Sequence, residues 1–306
     1  MPIPFGDDVS ALDLGNKRLA VLKTDMLVGK TDVPLGMSLW QAARKAVVMN
    51  ISDFAAKGVK PTAILASIGV PRGHTEKDIR QIGKGLNVGA REYDAYVLGG
   101  DTNEASDLVI SCSLLGICEK QHLMRRSGAR PGDIVAVTGF FGKTALGLKI
   151  LLEALSAPPK IRKEFGDAVL MPQAKLKEGL ALAKTKAVTA SIDSSDGLAW
   201  SLHEISRASK VGFVIDHLPV AREVREFAKI HGLDSVELGL YGGEEYELLV
   251  TVKPRLWEVA KRAVERVDGF LIKTGVVTME KMVLLKTRGK TAPIEARGWE
   301  HFKSKL

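Results

Sequence analysis

Apolar and polar positions alternate between two periods along the chain. Residues 39–57 place Leu39, Ala43, Val47 and Phe54 at helical spacing and predict one long helix. Residues 75–93 predict a second helix with a polar face. Apolar runs at 19–23, 62–70, 95–98 and 108–118 predict strands. A basic, polar stretch at 119–133, punctuated by Gly128, Pro131 and Gly132, is the expected boundary. Beyond it, strands are expected at 134–138, 187–192, 212–215, 246–252 and 270–276, and helices at 144–155, 173–184, 197–209 and 255–267. The alternation predicts an α+β or α/β fold with mixed sheets in two domains, residues 1–120 and 121–306.

Length agrees with that division, because 306 residues is long for one compact core. The longest apolar runs, such as residues 63–70, have strand length, short of the ~20 residues a helical membrane span needs. The first residues have neither a basic start nor an apolar stretch, so neither a signal peptide nor a membrane partner is expected. Cys112 and Cys118 lie six apart in one predicted strand and so share a face. Two buried thiols in a reducing compartment, the cytoplasm, are expected rather than a zinc site. Residues 1–120 carry 14 basic and 14 acidic side chains, so the whole formal excess of +8 falls on the remainder. Those basic residues are scattered and only 6% of residues are aromatic, too few for stacking platforms. A basic surface that attracts phosphate-bearing small molecules is expected, with no nucleic acid partner.

The chemistry lies in the aspartates. Gly6-Asp7-Asp8 opens the chain, Thr24-Asp25 ends the first predicted strand, and Gly99-Gly100-Asp101-Thr102 ends a later one. Asp193-Ser194-Ser195-Asp196-Gly197 joins a strand to a helix. Strand ends beside glycines are where open sheets place ligands. Each motif alone is better read as a turn, and Asp196 as a cap of the helix that follows. Four such sites in one chain argue for a common purpose. Asp53 sits inside the long helix, where aspartate is a poor residue, and reads either as an exposed carboxylate or as a metal ligand. Hard oxygen donors without clustered His or Cys point to Mg²⁺ or Mn²⁺. Several carboxylates around one point repel unless cations or a metal–phosphate complex neutralise them.

One tempting motif fails. Gly139-Phe140-Phe141-Gly142-Lys143-Thr144 resembles the end of a P-loop, but the position that needs the first glycine is Val137. A glycine turn into a helix is expected there. His-Arg-Asp and Asp-Phe-Gly, the marks of a protein kinase, are absent from the sequence. In the expected linker, Arg125 and Arg130 read as solvated hinge residues.

Taken in order, Gly6-Asp7-Asp8, Thr24-Asp25-Met26, Asn50-Ile51-Ser52-Asp53, Gly99-Gly100-Asp101-Thr102, Arg126-Ser127-Gly128, Ile192-Asp193-Ser194-Ser195-Asp196-Gly197 and Gly242-Gly243-Glu244-Glu245-Tyr246 resemble the thiamine-monophosphate kinase family. The resemblance runs from Gly6 to Trp299-Glu300-His301-Phe302. It implies a two-domain α+β fold like that of aminoimidazole ribonucleotide synthetase, with mixed sheets packed with helices in each domain and a homodimer formed through the N-terminal domains. It also implies transfer of the terminal phosphoryl group of ATP to thiamine monophosphate. By that likeness Asp8, Thr24, Asp25, Asp53, Asp101, Asp193 and Asp196 hold several Mg²⁺ ions, and Gly100, Asp101, Arg126 and Ser195 contact ATP. Asp32, Glu244 and Trp299 meet the thiamine substrate. The acceptor is an already ionised phosphate oxygen, so no general base is expected and transfer is direct and in-line.

The chain departs from the family in two places. Lys23 stands where Ser is usual, and Asp32 stands where a substrate-associated His is usual. Lys23 is expected either to replace one metal ion's charge or to point to solvent. Asp32 can pair with a cationic thiamine but would repel the transferred phosphate. A selenophosphate synthetase needs a reactive residue near its N-terminal glycines, whereas no Cys precedes residue 112. A carbamoyl dehydratase of the superfamily needs a C-terminal Cys, where this chain has Phe302-Lys303-Ser304-Lys305-Leu306. The closing Ser304-Lys305-Leu306 matches a peroxisomal address, a three-residue match best read as chance. The alternatives are a related ATP-dependent enzyme with another small acceptor, and a non-catalytic nucleotide- or RNA-binding protein.

Overall fold

The computed structural model describes residues 2–153, 155–287 and 289–299. In chain order, the first part holds β1 (Ser10–Asp13), β2 (Arg18–Val28), α1 (Gly29–Asp32), α2 (Leu39–Lys57), β3 (Pro61–Val70), α3 (Glu76–Arg91), β4 (Tyr96–Glu104) and β5 (Val109–Glu119). The second part holds β6 (Ile134–Val137), α4 (Lys143–Leu152), α5 (Pro159–Leu170), α6 (Leu176–Thr185), β7 (Val188–Asp193), α7 (Leu198–Ser209) and β8 (Gly212–Ile215). It continues with α8 (Arg222–Ile230), α9 (Ser235–Tyr241), β9 (Leu248–Val252), α10 (Trp257–Glu265), β10 (Ile272–Thr278), β11 (Val283–Thr287) and β12 (Lys290–Pro293). Glu300-His301-Phe302 and Ser304-Lys305-Leu306 lie outside the described residues.

The strands form a five-stranded sheet, ordered β1-β2-β5-β3-β4, and a seven-stranded sheet, ordered β12-β11-β8-β10-β6-β9-β7. Both are mixed: β3 runs parallel to β4 and β11 parallel to β8, while the other pairs are antiparallel. The chain is therefore α+β. The two sheets are joined by α2. Its start is fixed by a capping box, Ser38 with Gln41, and its end by Gly58 in the left-handed region at φ +64°. Fifteen of its nineteen residues are buried, so it is a central helix covered on all sides rather than an amphipathic one. Gly179 of α6 packs so closely that a Cβ there would lie 2.0 Å from the Ala55 carbonyl oxygen.

One apolar core runs through α2 from Leu19, Val21 and Ile110 of the first sheet to Leu248, Val250 and Val252 of the second. The opposite face of the second sheet, with Val135, Val137 and Leu249, packs on Leu198, Leu202 and Ile205 of α7. Burial on both faces explains why β9 is apolar with little alternation. The first sheet has only one covered face. Its other face exposes Leu22, Met26, Leu65, Leu115 and Ile117.

Several expectations need correction. β2 and β4 are longer than their apolar runs, so Thr24-Asp25 and Gly99-Gly100-Asp101-Thr102 lie inside strands and not at their ends. The ladder to β5 pairs all eleven residues of β2, which carries the strand through its polar positions. The segment after β5 is no free hinge: Met124 N–H donates to the Lys57 carbonyl, and Ser191 N–H donates to the Arg125 carbonyl. β1, α1, α5, α8, α9, β11 and β12 were not among the expected elements.

Candidate active site

The site forms where the C-terminal half of α2 meets both sheets. Asp8, Asp53 and Asp193 bring carboxylate oxygens within 4.8 Å of one another, all three buried. Asp53 comes from α2 and Asp193 from the end of β7. The exposed-helix reading of Asp53 is thereby excluded. Ser52 Oγ donates to Asp193 Oδ2 at 2.6 Å. Asn50, which shares a face with Asp53, turns away and donates to the Ala46 carbonyl.

Cations surround this group. Lys23 Nζ lies 2.8 Å from Asp53 Oδ2 and 3.0 Å from Asp25 Oδ1. Lys57, fully buried at the end of α2, lies 2.7 Å from Asp7 and 2.5 Å from Asp8, and donates to the Ser191 carbonyl. Arg126 donates to Asp8 through Nε at 2.5 Å, and also reaches the Gly6 carbonyl and Glu204. Burial pushes Asp193 up to about 7, with the neighbouring Asp8 adding to it. Burial, then the charge of Asp193, raises Asp53 far above the usual carboxylate range despite Lys23. Burial would raise Asp7 as well, but Lys57 and the Arg126 backbone N–H outweigh it and lower it. These carboxylates are short of positive charge even with three cations in place.

Strand register sorts the remaining candidates. Asp25 pairs with Cys112 on the covered face of the first sheet, so Lys23 and Asp25 point to the cluster. Thr24 pairs with Ser113 on the opposite face, and its hydroxyl accepts from Ser113 Oγ at 3.1 Å. Asp101 pairs with Ser67, in the row of Ser111 and Met26 on that same outer face. Three strand spacings, roughly 14 Å, separate Asp101 from β2. The structure therefore does not bring the Thr24 side chain or Asp101 to the carboxylate group. Gly100 lies beside Asp101 on this edge strand.

A second group forms one lip of the site. Glu244 N–H donates to the Ser195 carbonyl, Tyr246 N–H to the Ser194 carbonyl, and Trp299 N–H to the Asp196 carbonyl. Ser195, Asp196, Glu244 and Trp299 are thus laced together, with Trp299 half exposed at 53%. Glu244 receives a 2.5 Å contact from Lys45, a fully buried lysine of α2 that also donates to the Asp32 carbonyl. The Asp32 carboxylate is committed elsewhere: Oδ2 accepts from the Val28 N–H at 2.7 Å, closing its own turn. Burial, then the charges of Glu244 and Asp193, raises the Tyr246 phenol.

Sequence reasoning missed Lys45, Lys57, Ser52 and Tyr246, and singled out Asp8 but not Asp7. An isolated lysine in sequence reads as a solvated residue. The only available signal was that Lys45 and Lys57 sit eight before and four after Asp53 on a helix whose other residues are mostly apolar.

The rejected P-loop match has a physical explanation. Glu245 accepts from the Gly142 N–H at 2.6 Å and the Thr144 N–H at 3.3 Å, filling the start of α4 with a carboxylate where a phosphate would sit. Lys143 pairs with Glu164. Burial pushes Glu245 up to about 7, against the lowering effect of its Thr144 and Gly142 bonds. A raised carboxylate stabilises the fold fully below its unfolded value of about 4.5 and loses that contribution as pH rises through about 7. Glu245→Gln keeps an acceptor without the charge. Between pH 5 and 8 it is expected to flatten the fall in stability by up to about 3 kcal/mol, less where water reaches the half-buried group. Parallel urea titrations of the two proteins with identical pH slopes would refute this.

Comparisons with known proteins agree with the fold. Residues 6–118 match the AIR synthase related protein N-terminal domain, and residues 130–284 the corresponding C-terminal domain. The chain is 38% identical to the thiamine-monophosphate kinase of Pyrococcus horikoshii over 98% of this chain and 91% of that one. It is 35% identical to that of Nitrosopumilus maritimus over 97% and 93%. It is similar in structure to AaThiL complexed with AMPPCP and TMP, with a TM-score of 0.86 and 27% identity over 97% of this chain and 92% of that one. Thiamine monophosphate kinase from Aquifex aeolicus superposes with a TM-score of 0.81 and 26% identity over 93% and 92%.

Proposed function

The chain belongs to the thiamine-monophosphate kinase family of AIR synthase related proteins, and from that premise we propose how its site transfers the terminal phosphoryl group of ATP to thiamine monophosphate, giving thiamine diphosphate and ADP. The observation that carries the reading is the buried meeting of Asp8, Asp53 and Asp193 between the sheets. Three hard oxygen donors with unmet negative charge fit Mg²⁺. When bound there, Mg²⁺ would offset the negative charge of the polyphosphate. Asp25 and Asp196 are the reserve carboxylates of the same reading.

The chain's own residues supply the rest. Arg126 and Lys57 hold Asp7 and Asp8 in place, and Ser52 orients Asp193. Glu244 and Trp299, both tied to the Ser195-Asp196 turn, supply a carboxylate and an aromatic ring that suit a cationic, aromatic substrate. Lys45 fixes Glu244 from behind. The acceptor oxygen is ionised at neutral pH, so no residue has to remove a proton, and positioning provides the catalysis. The test is ADP release from Mg²⁺-ATP with and without thiamine monophosphate, with thiamine diphosphate identified by chromatography. ADP release that thiamine monophosphate does not stimulate would overturn the assignment of the acceptor.

The reading includes a cytoplasmic homodimer of chains with two domains, residues 1–120 and 121–306. Both cysteines are free thiols, which suits a reducing compartment. Among the described residues no helix is long and apolar enough to cross a membrane. The uncovered face of the first sheet is apolar enough to seat a second copy. Leu115→Lys, placed beside Leu22 on that face, is expected to give monomers by sedimentation velocity. Monomers from the unaltered protein would refute the dimer.

A further inference from the structure

Lys23 is the cation of the site whose partners among the described residues are carboxylates alone. Lys57 is fully enclosed and also holds the Ser191 carbonyl, and Arg126 ties Asp8 to Gly6 and Glu204. Both hold a backbone carbonyl as well as carboxylates. Lys23 instead projects from the covered face of β2 and ends between two carboxylates, Asp25 and Asp53. Asp53 is shared: it faces Lys23 and also belongs to the group with Asp8 and Asp193. Six carboxylates, Asp7, Asp8, Asp25, Asp53, Asp193 and Glu204, meet four cations, Lys23, Lys57, Arg126 and Arg207, which leaves a formal charge of −2. One divalent cation balances that charge.

We propose that Lys23 is a tethered cation occupying the Asp25–Asp53 position, so that the nucleotide-free protein takes one divalent ion, at Asp8, Asp53 and Asp193, and not two. The inference rests on the metal reading of the carboxylate group. An ammonium at 2.8 Å and 3.0 Å from two carboxylates fills the space in which a second ion would share them. It also repels that ion, and two positive charges this close interact strongly where water is scarce. Replacing Lys23 by a short neutral residue removes both obstacles at once, whereas arginine keeps the charge.

The experiment counts Mn²⁺ bound per chain by electron paramagnetic resonance without nucleotide, on the full-length protein, Lys23→Ser and Lys23→Arg. The expected result is one ion for the unaltered protein and for Lys23→Arg. Lys23→Ser should take a second, with total Mn²⁺ affinity rising roughly ten-fold or more. Two ions in the unaltered protein, a measurement that needs no variant to fold, would overturn the inference and leave the metal site standing. Unchanged count and affinity in a folded Lys23→Ser would also overturn it. Absence of bound Mn²⁺ from all three proteins would remove the metal reading and the inference with it, whatever the kinase assay shows.

Discussion

Asp53→Asn lowers phosphoryl transfer by roughly 10³-fold in kcat, the equivalent of the several kcal/mol that a correctly held metal contributes to charge stabilisation. The same substitution leaves the metal-free protein as stable as before, or more so. Asp53 is buried beside Asp193 and held far above the usual carboxylate range by that burial. Its ionised form therefore costs stability at neutral pH, a cost that grows as pH rises and that asparagine lacks. Lys23 loses one partner and keeps Asp25. The checks are steady-state kinetics with Mg²⁺-ATP and thermal unfolding with and without Mn²⁺. A variant that keeps most of its turnover would show that Asp53 is no ligand. A variant whose metal-free melting temperature collapses would show that it is mainly structural.

The second large effect falls on the fold. Lys57→Met keeps the length of a fully buried side chain and removes its charge. Asp7 then loses the ammonium at 2.7 Å that lowers it, and the Ser191 carbonyl loses its donor. Asp8 keeps Arg126, but Asp7 has only the Arg126 and Asp8 backbone N–H groups. Breaking a buried pair from one side costs about 3–5 kcal/mol, because the remaining charge stays buried. Urea unfolding at pH 7 measures it. The loss should shrink as pH falls and Asp7 takes up a proton. A loss below about 1 kcal/mol would mean that solvent or Arg126 replaces Lys57.

The helix at 39–57 was legible to the residue because local chemistry sets both ends: Ser38 and Gln41 cap its start, and Gly58 stops it. That some aspartates converge was legible too, since Asp53 defies helix preference and Asp193 sits at a strand end. Asp8, Asp53 and Asp193, all among the expected metal ligands, are the ones that converge, but which other candidates join them was not legible. Thr24 and Asp101 fall on the far face of the first sheet because of strand register, which is a property of pairing and not of either strand alone. The buried lysines were illegible for a related reason. Beyond its mostly apolar helix neighbours, nothing local distinguishes Lys57 from a surface lysine until the Asp7-Asp8 segment is folded against it. α8, by contrast, carries its signal openly, with Val224, Phe227 and Ala228 on one face of a charged segment.

The central helix has a consequence for how the molecule comes apart. It packs against α3 and β2 on one side and against α6, β7 and β9 on the other, within a single apolar core. Neither sheet can lose it and keep a closed interior. A fragment ending near residue 120 retains the helix but strips away the walls supplied by Leu182, Leu248 and Val250, leaving Lys57 and Asp53 facing water on an apolar surface. The fragment beginning there keeps its own helices but lacks α2, which closes its core. The two halves are therefore bound to melt together, and a recombination event that exchanged one of them for a distant relative's would have to carry the matching face of the other.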